Sequence, residues 1–443
     1  MRTMLSFLFL ISVGVAIVDP ACAGTLPRVT AAMRSPRLWL DRHSAPDKVL
    51  MAPAEITAFN KGLVANRLTD DLAAYPHKIP LVELRAEAFK AGEHLRQNRL
   101  FRRDGSVAGD GFFTPLRQNM NFSRLGPWLV TRYAVATTFT RIRCVPTEEP
   151  LYAQRNDTGF DEVQDSGISA GTPVVVLHET ADNRWFFIKD GVSSGWVRAR
   201  DIALTDEDAW RAILAPKIFV VITAPRARVC LGPGLWFAAA TARMGDRFAL
   251  KGQTPQAVEV VYALRRADGR ARWVSAFIAR NDVAEGDLPY TPRAAITQAF
   301  KLLDAPYGWG DSNGGQDCSR FIRMVFATMG FDLPRNSAQQ ARAGLPIAEF
   351  DISFKAPDKA EAIARQALAG ATLLCLKGHV MLYLGEVDGG LYAIHATSGY
   401  REMKGGREVF VALGRVVVSD LSPGSGTSKG SLLERVRAVR FIR

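Results

Sequence analysis

Three textures of hydrophobic and polar positions succeed one another along the 443 residues. In residues 24–128, apolar side chains recur at helical spacing in A-P-A-E-I-T-A-F-N-K-G-L-V and V-E-L-R-A-E-A-F-K-A-G-E-H-L-R, which predicts a mostly helical domain. In residues 129–290, short β-branched runs such as T-P-V-V-V-L-H, R-W-F-F-I and A-V-E-V-V-Y-A-L alternate with Gly, Pro and Asp turns, the pattern of small β-barrels. This stretch echoes itself. R-I-R-C-V-P at 141–146 returns as R-A-R-V-C-L-G-P at 226–233, and G-W-V at 195–197 returns as R-W-V at 272–274. The echo divides it into two barrels, 129–208 and 209–290. In residues 291–443 helix and strand patterns mix: T-P-R-A-A-I-T-Q-A-F-K-L-L opens as a helix, L-L-C-L-K-G-H-V-M-L-Y-L-G reads as two strands about K-G, and G-L-Y-A-I-H-A-T reads as a third. P-G-S-G-T-S-K-G-S reads as a flexible loop.

Composition adds little to this and charge a little more. The chain is 48% hydrophobic and 23% charged, which suits globular cores, and its length suits about two to four domains. A net charge of +12 suits anionic partners such as a polyanionic cell wall, acidic lipid or nucleic acid, or simply a basic solvated surface. The basic residues are scattered, with no zinc-finger or RNA-recognition spacing, so no nucleic-acid partner is expected. Residues 1–23 have the form of an export signal: Arg2, then an apolar run, then A-C-A at 21–23. The expectation is an exported, periplasmic or envelope-associated protein with no stable membrane insertion after cleavage.

Five cysteines are present, and loss of Cys22 with the signal leaves Cys144, Cys230, Cys318 and Cys375. No C-x-x-C or Cys/His cluster suggests a metal, and no cofactor motif is found. Trp39, His43, His77 and His94 read as packing or surface residues. Cys144 and Cys230 occupy matching places in the two echoes and read as buried small apolar residues, as does Cys375.

Cys318 stands apart. After it, Phe321, Ile322, Val325, Phe326 and Met329 lie on one face of a helix that Gly330 ends. The cysteine therefore sits at a helix N-terminus with Asp317 in a capping position, where the helix dipole favours a thiolate. Gly314 and Gly315 would let the backbone approach a substrate. Only two histidines follow, His379 and His395, on consecutive predicted strands. If those strands are antiparallel neighbours, one imidazole can take the thiol proton and the other can orient it.

The ordered set P-Y-G-W-G (306–310), D-C-S-R-F (317–321), L-P-R-N-S-A-Q-Q (333–340), G-H-V-M-L-Y-L-G (378–385) and I-H-A (394–396) resembles the NlpC family of bacterial cell-wall cysteine peptidases. The resemblance implies an α+β protein: a papain-like peptidase domain at 291–443, preceded by two SH3-like barrels and the N-terminal helical domain, as in a multidomain subgroup of that family. It implies Cys318 as nucleophile, His379 as base and His395 as the orienting third member. It also implies that Asp317 binds a free L-Ala ammonium, with Ser319 and Tyr307 lining the same pocket. Asp317 as a simple cap stays open beside that role. The family often has glycine where Arg320 stands; Arg320 either reaches a substrate carboxylate or points to solvent.

The implied reaction is hydrolysis of the bond between γ-D-glutamate and meso-diaminopimelate or lysine in peptidoglycan or muropeptides. Two alternatives remain from the residues themselves. The same thiolate supports acyl transfer or amide hydrolysis on another substrate, and the barrels with the basic charge suit a wall-binding scaffold with an idle catalytic domain.

Overall fold

The computed structural model describes residues 26–155 and 158–443. The export-signal reading and Cys22 lie outside these residues. The architecture is mixed α and β, with three antiparallel sheets of six or seven strands and helices between them.

Two of the sheets repeat one design. The first runs, edge to edge, through Gln164–Ile168, Thr140–Arg143, Ser194–Arg198, Trp185–Lys189, Pro173–Glu179, Arg132–Ala136 and Ile202–Thr205. The second runs through Ala238–Arg243, Arg226–Cys230, Ala271–Ala279, Ala257–Arg265, Arg247–Gln253, Phe219–Ile222 and Val283–Glu285. Numbered along the chain, both have the strand order 3-2-6-5-4-1-7. The echoed R-I-R and R-A-R fall on the second strand of each, and the echoed tryptophans, Trp196 and Trp273, on the sixth. Their interiors differ. Trp196 is fully buried, whereas Trp273 is only partly so. Cys230 is buried as expected, but Cys144 is half-buried and faces a cavity.

The third sheet follows the order Leu345–Glu349, Val436–Phe441, Thr372–Leu376, His379–Val387, Gly390–Lys404, Arg407–Asp420. Lys377 and Gly378 turn the central hairpin, and Gly378 has φ +76°. The last two strands form a hairpin far longer than the apolar pattern predicts, because its outer half, where Met403, Val409 and Phe410 are exposed, extends past the core. The helix Cys318–Ala327 packs on this sheet through Phe321, Ile322, Val325 and Phe326, all completely buried. Four such side chains contribute roughly 1.5–3 kcal/mol each by leaving water.

The N-terminal helices do not make one core. Trp39, Ile56 and Leu63 pack with Ile296, Phe326 and Phe331 of the peptidase-like region. Leu84, Leu95, Phe113 and Phe122 pack instead with Trp185, Phe187 and Trp196 of the first barrel. The crossing between them, around Leu68 to Leu72, threads between barrel and sheet, and Asp70 N donates to Gly191 O at 2.7 Å. Among the described residues no helix is long and apolar enough to cross a membrane.

Candidate active site

A cavity of about 1340 Å³ opens between the first barrel, the Leu68 crossing and the third sheet. Cys318, His379, Asp317, Ser319 and Tyr307 line it. Cys318 begins its helix, and Asp317 caps it by accepting from Arg320 N at 2.9 Å. Phe321 N donates to Asp317 O at 2.9 Å, the first bond of the helix, so Asp317's side chain satisfies one orphan donor, Arg320 N–H.

The two histidines meet. His379 Nε2 lies 2.8 Å from His395 Nδ1, and His395 Nε2 lies 3.0 Å from Ser419 Oγ. The antiparallel pairing of their strands brings the imidazoles together, and Ser419 arrives from the next strand, where it faces Ala393. A single tautomer set fits a base at His379: if its Nδ1 is bare, Nε2–H donates to His395 Nδ1, and His395 Nε2–H donates to Ser419. Ser419 lies in the run V-V-V-S-D, where a serine carries no signal of its own.

The electrostatics reverse one expectation. Burial pushes the Cys318 thiol up to about 12, reinforced by the neighbouring Asp317 charge; the N–H groups of Val380 and Ser319 oppose it and lose. Burial likewise pulls His379 down to about 4, with Arg435 adding to the effect, and drives His395 well below its ordinary value. The helix dipole is therefore outweighed by desolvation, and thiol and imidazole rest as a neutral pair.

Asp317 is more engaged than a simple cap. Burial raises its carboxyl, but Arg335 outweighs this and holds it below the usual range. Arg335 donates to both its oxygens, at 3.1 and 2.7 Å, and to Ser319 Oγ at 3.0 Å. Ser319 Oγ in turn donates to Asp317 at 3.0 Å. Arg335 is the arginine of L-P-R-N-S, so its motif was legible although its partner was not. Asp165, on the first barrel, projects into the cavity without a hydrogen-bond or ion-pair partner among the described residues, and the surrounding protein pushes its carboxyl up. No local pattern distinguished it. Tyr307 packs edge-on against Phe160 of the first barrel, with centroids 6.4 Å apart.

Two readings need correction. Arg320 lies neither in the cavity nor in solvent. It is buried behind the helix, with Nε 3.7 Å from Asp311 Oδ2, because its helix position faces the two barrels. Gly314 and Gly315 do not approach a substrate. A Cβ on Gly315 would lie 2.6 Å from Gly308 N, so the glycine lets the loop fold against itself. The loop is then fastened from outside. Gln164 Nε2 donates to Gly310 O at 2.7 Å and Gly167 N to Asp311 at 3.2 Å, while Arg335, beyond the helix, donates from Nε to Ser166 Oγ at 2.7 Å. The four cysteines of the described residues are free.

Residues 304–408 match the NlpC/P60 family, and residues 150–198 match an SH3 domain of the SH3b1 type. A Gamma-D-glutamyl-L-lysine dipeptidyl-peptidase of Bacillus cereus (strain ATCC 10987 / NRS 248) is 24% identical over 204 residues, 43% of this chain and 54% of that protein. A probable endopeptidase of Corynebacterium glutamicum (strain R) is 26% identical over 110 residues, 21% of this chain and 52% of that protein. The chain thus spans about half the length of the curated relatives it matches. An NlpC/P60 endopeptidase structure from Photobacterium damselae subsp. piscicida superposes with a TM-score of 0.71 at 17% identity, covering 90% of this chain and 95% of that one, a likeness of fold.

Proposed function

From the premise that this chain carries an NlpC/P60 domain and an SH3b domain, we propose that it is an exported cysteine peptidase acting on peptidoglycan peptides. Its cut falls between γ-D-glutamate and the diamino acid, meso-diaminopimelate or lysine. The observation that carries this reading is the convergence of Cys318 and the His379–His395–Ser419 chain on one cavity.

The neutral resting pair dictates the order of events. His379 removes the thiol proton as Sγ attacks the γ-carbonyl, because neither group ionises alone. Of the helix's orphan donors, Arg320 N–H is held by Asp317 and Ser319 N–H is turned to the thiol sulfur, so we assign the oxyanion to the N–H of Cys318. The imidazolium, steadied by His395, then protonates the leaving amine. Water activated by His379 releases the acyl group.

A free alanine N-terminus supplies an ammonium, and two carboxylates face the space for it. Asp317 is already neutralised by Arg335, so Asp165 is the stronger candidate for its counter-charge. Barrel residues closing that end of the cavity suit short fragments over intact wall.

The test is cleavage of L-Ala-γ-D-Glu-meso-diaminopimelate, with and without an N-acetyl cap. Wild type should release the diamino acid from the uncapped peptide, and Cys318→Ala should release none. Hydrolysis retained by Cys318→Ala removes the reading. Equal cutting of both peptides leaves the chemistry and removes the fragment preference.

A further inference from the structure

The acids of the cavity wall are confined to one part of it. Asp70, Asp71, Glu87, Asp165 and Asp317 belong to the Leu68 crossing, the helix Leu81–Gln97, the first barrel and the helix start, where Lys189 pairs with Asp70 and Glu87, and Arg335 with Asp317. The long hairpin and the turn that follows it contribute no acid; they contribute Arg401, Lys429 and Arg435. Arg401 is paired with Glu408 at 3.3 Å, and Lys429 is exposed at the rim. Arg435 is different. It is half-buried, and its guanidinium has no carboxylate or hydrogen-bond partner among the described residues.

Its backbone is also held on both sides. Lys359 Nζ, a buried ammonium, donates to Glu434 O at 2.7 Å and to Val436 O at 2.9 Å. Glu434 closes a reciprocal cap with Ser431, accepting from Ser431 N at 2.6 Å and donating its own N–H to Ser431 Oγ at 3.1 Å. The preceding residues 423–430, expected to be a flexible loop, are a run of hydrogen-bonded turns, with Thr427 Oγ1 donating to Gly424 O at 2.7 Å. A partly desolvated, unpaired guanidinium carried on a fixed backbone is an arrangement that an anion would complete, and its planar fork matches a carboxylate.

We propose that Arg435 is a binding residue for the leaving side of the substrate and takes a free carboxylate of the diamino acid. This rests on the reaction proposed above. Arg435 belongs to the surroundings of His379, the group that hands the proton to the leaving amine. The carbon bearing that amine also bears the α-carboxyl group, which therefore leaves from the same neighbourhood. Meso-diaminopimelate carries a second carboxylate at the far end of its side chain, where lysine has none. Either carboxylate has the chemistry Arg435 lacks a partner for.

The experiment compares four peptides on the full chain: L-Ala-γ-D-Glu followed by meso-diaminopimelate or by L-lysine, each as free acid and with its carboxyls amidated. Wild type should favour free acids by about 10- to 100-fold in kcat/KM, the range of a charge-assisted contact. Arg435→Gln should bring the ratio close to one by slowing the free acids, and Arg435→Lys should restore part of it. Discrimination within the lysine pair assigns the α-carboxylate; discrimination within the diaminopimelate pair alone assigns the side-chain carboxylate. Two results overturn the inference without touching the reaction: wild type that cuts acids and amides alike, or Arg435→Gln that slows all four by one factor. Failure of wild type to cut any of them in a Cys318-dependent way removes the reaction and, with it, this inference. The wild-type comparison needs no variant to fold.

Discussion

At the scale of single residues, the site works through burial more than through its helix dipole. Because His379 is held down to about 4 and Cys318 up to about 12, both are neutral across the ordinary range. Activity needs a bare His379 nitrogen. Its acid limb should therefore fall near pH 4, not near the ordinary imidazole value of about 6.5. A kcat/KM profile half-maximal near 6.5 would contradict the neutral pair. Stability carries the same sign: below about 6.5 the unfolded chain takes up protons that the buried imidazoles refuse, so their contribution declines as pH falls toward 4. Ser419 acts one step further away, as a positioning residue. Ser419→Ala should lower kcat about 2- to 10-fold with KM unchanged, and Ser419→Thr should recover most of it. A change confined to KM would remove that role. Asp165→Asn should raise KM for the uncapped peptide while leaving the capped peptide as it was; equal effects on both would point to a packing role.

At the scale of elements, the loop before Cys318 is the critical piece. Gly308 and Gly315 lie back to back, and a Cβ on Gly315 would meet Gly308 N, Tyr307 C and Pro306 O, all within 2.7 Å and all backbone. Nothing flexible can give way. Gly315→Ala should shift the start of the helix and cost on the order of 100-fold in kcat/KM, since misplacement of about 1 Å is enough. Wild-type kinetics from a Gly315→Ala chain of native circular dichroism would show that the loop does not position the nucleophile. The sequence made the helix visible, through the spacing of Phe321, Ile322, Val325 and Phe326. It hid the loop's packing, because a glycine kept for close backbone approach and one kept for a substrate look the same.

At the scale of the whole molecule, the first barrel and the peptidase-like region share one buried polar network. Arg335 joins Asp317 at the nucleophile to Ser166 on the barrel, and Asp311 joins the loop to Gly167. Arg335 and Asp317 are both buried, so removing one leaves the other uncompensated. Arg335→Met should cost about 3–5 kcal/mol of stability, read by denaturant unfolding, and should also abolish cleavage. An unchanged unfolding midpoint would mean that the pair carries no structural weight. The arrangement also accounts for the fate of Arg320, whose helix position turns it toward Asp311 and the barrels rather than the cavity.

What the sequence determined by itself is local and ordered: the periods that make helices and strands, the repeated barrel pattern, and the five motifs that bring a cysteine and two histidines into one region. Those features depend on neighbours in the chain and survive without knowledge of the fold. Only the tertiary structure decided how the charges are settled. Asp317 is neutralised by Arg335, 18 residues away, and that pair is tied to Ser166, 169 residues from Arg335. The thiol is raised instead of lowered because the protein around it excludes water. Asp165 and Arg435 stand unpaired in the cavity because, among the described residues, folding brings no partner beside them. Burial and pairing are properties of three-dimensional neighbours, which the one-dimensional pattern does not contain.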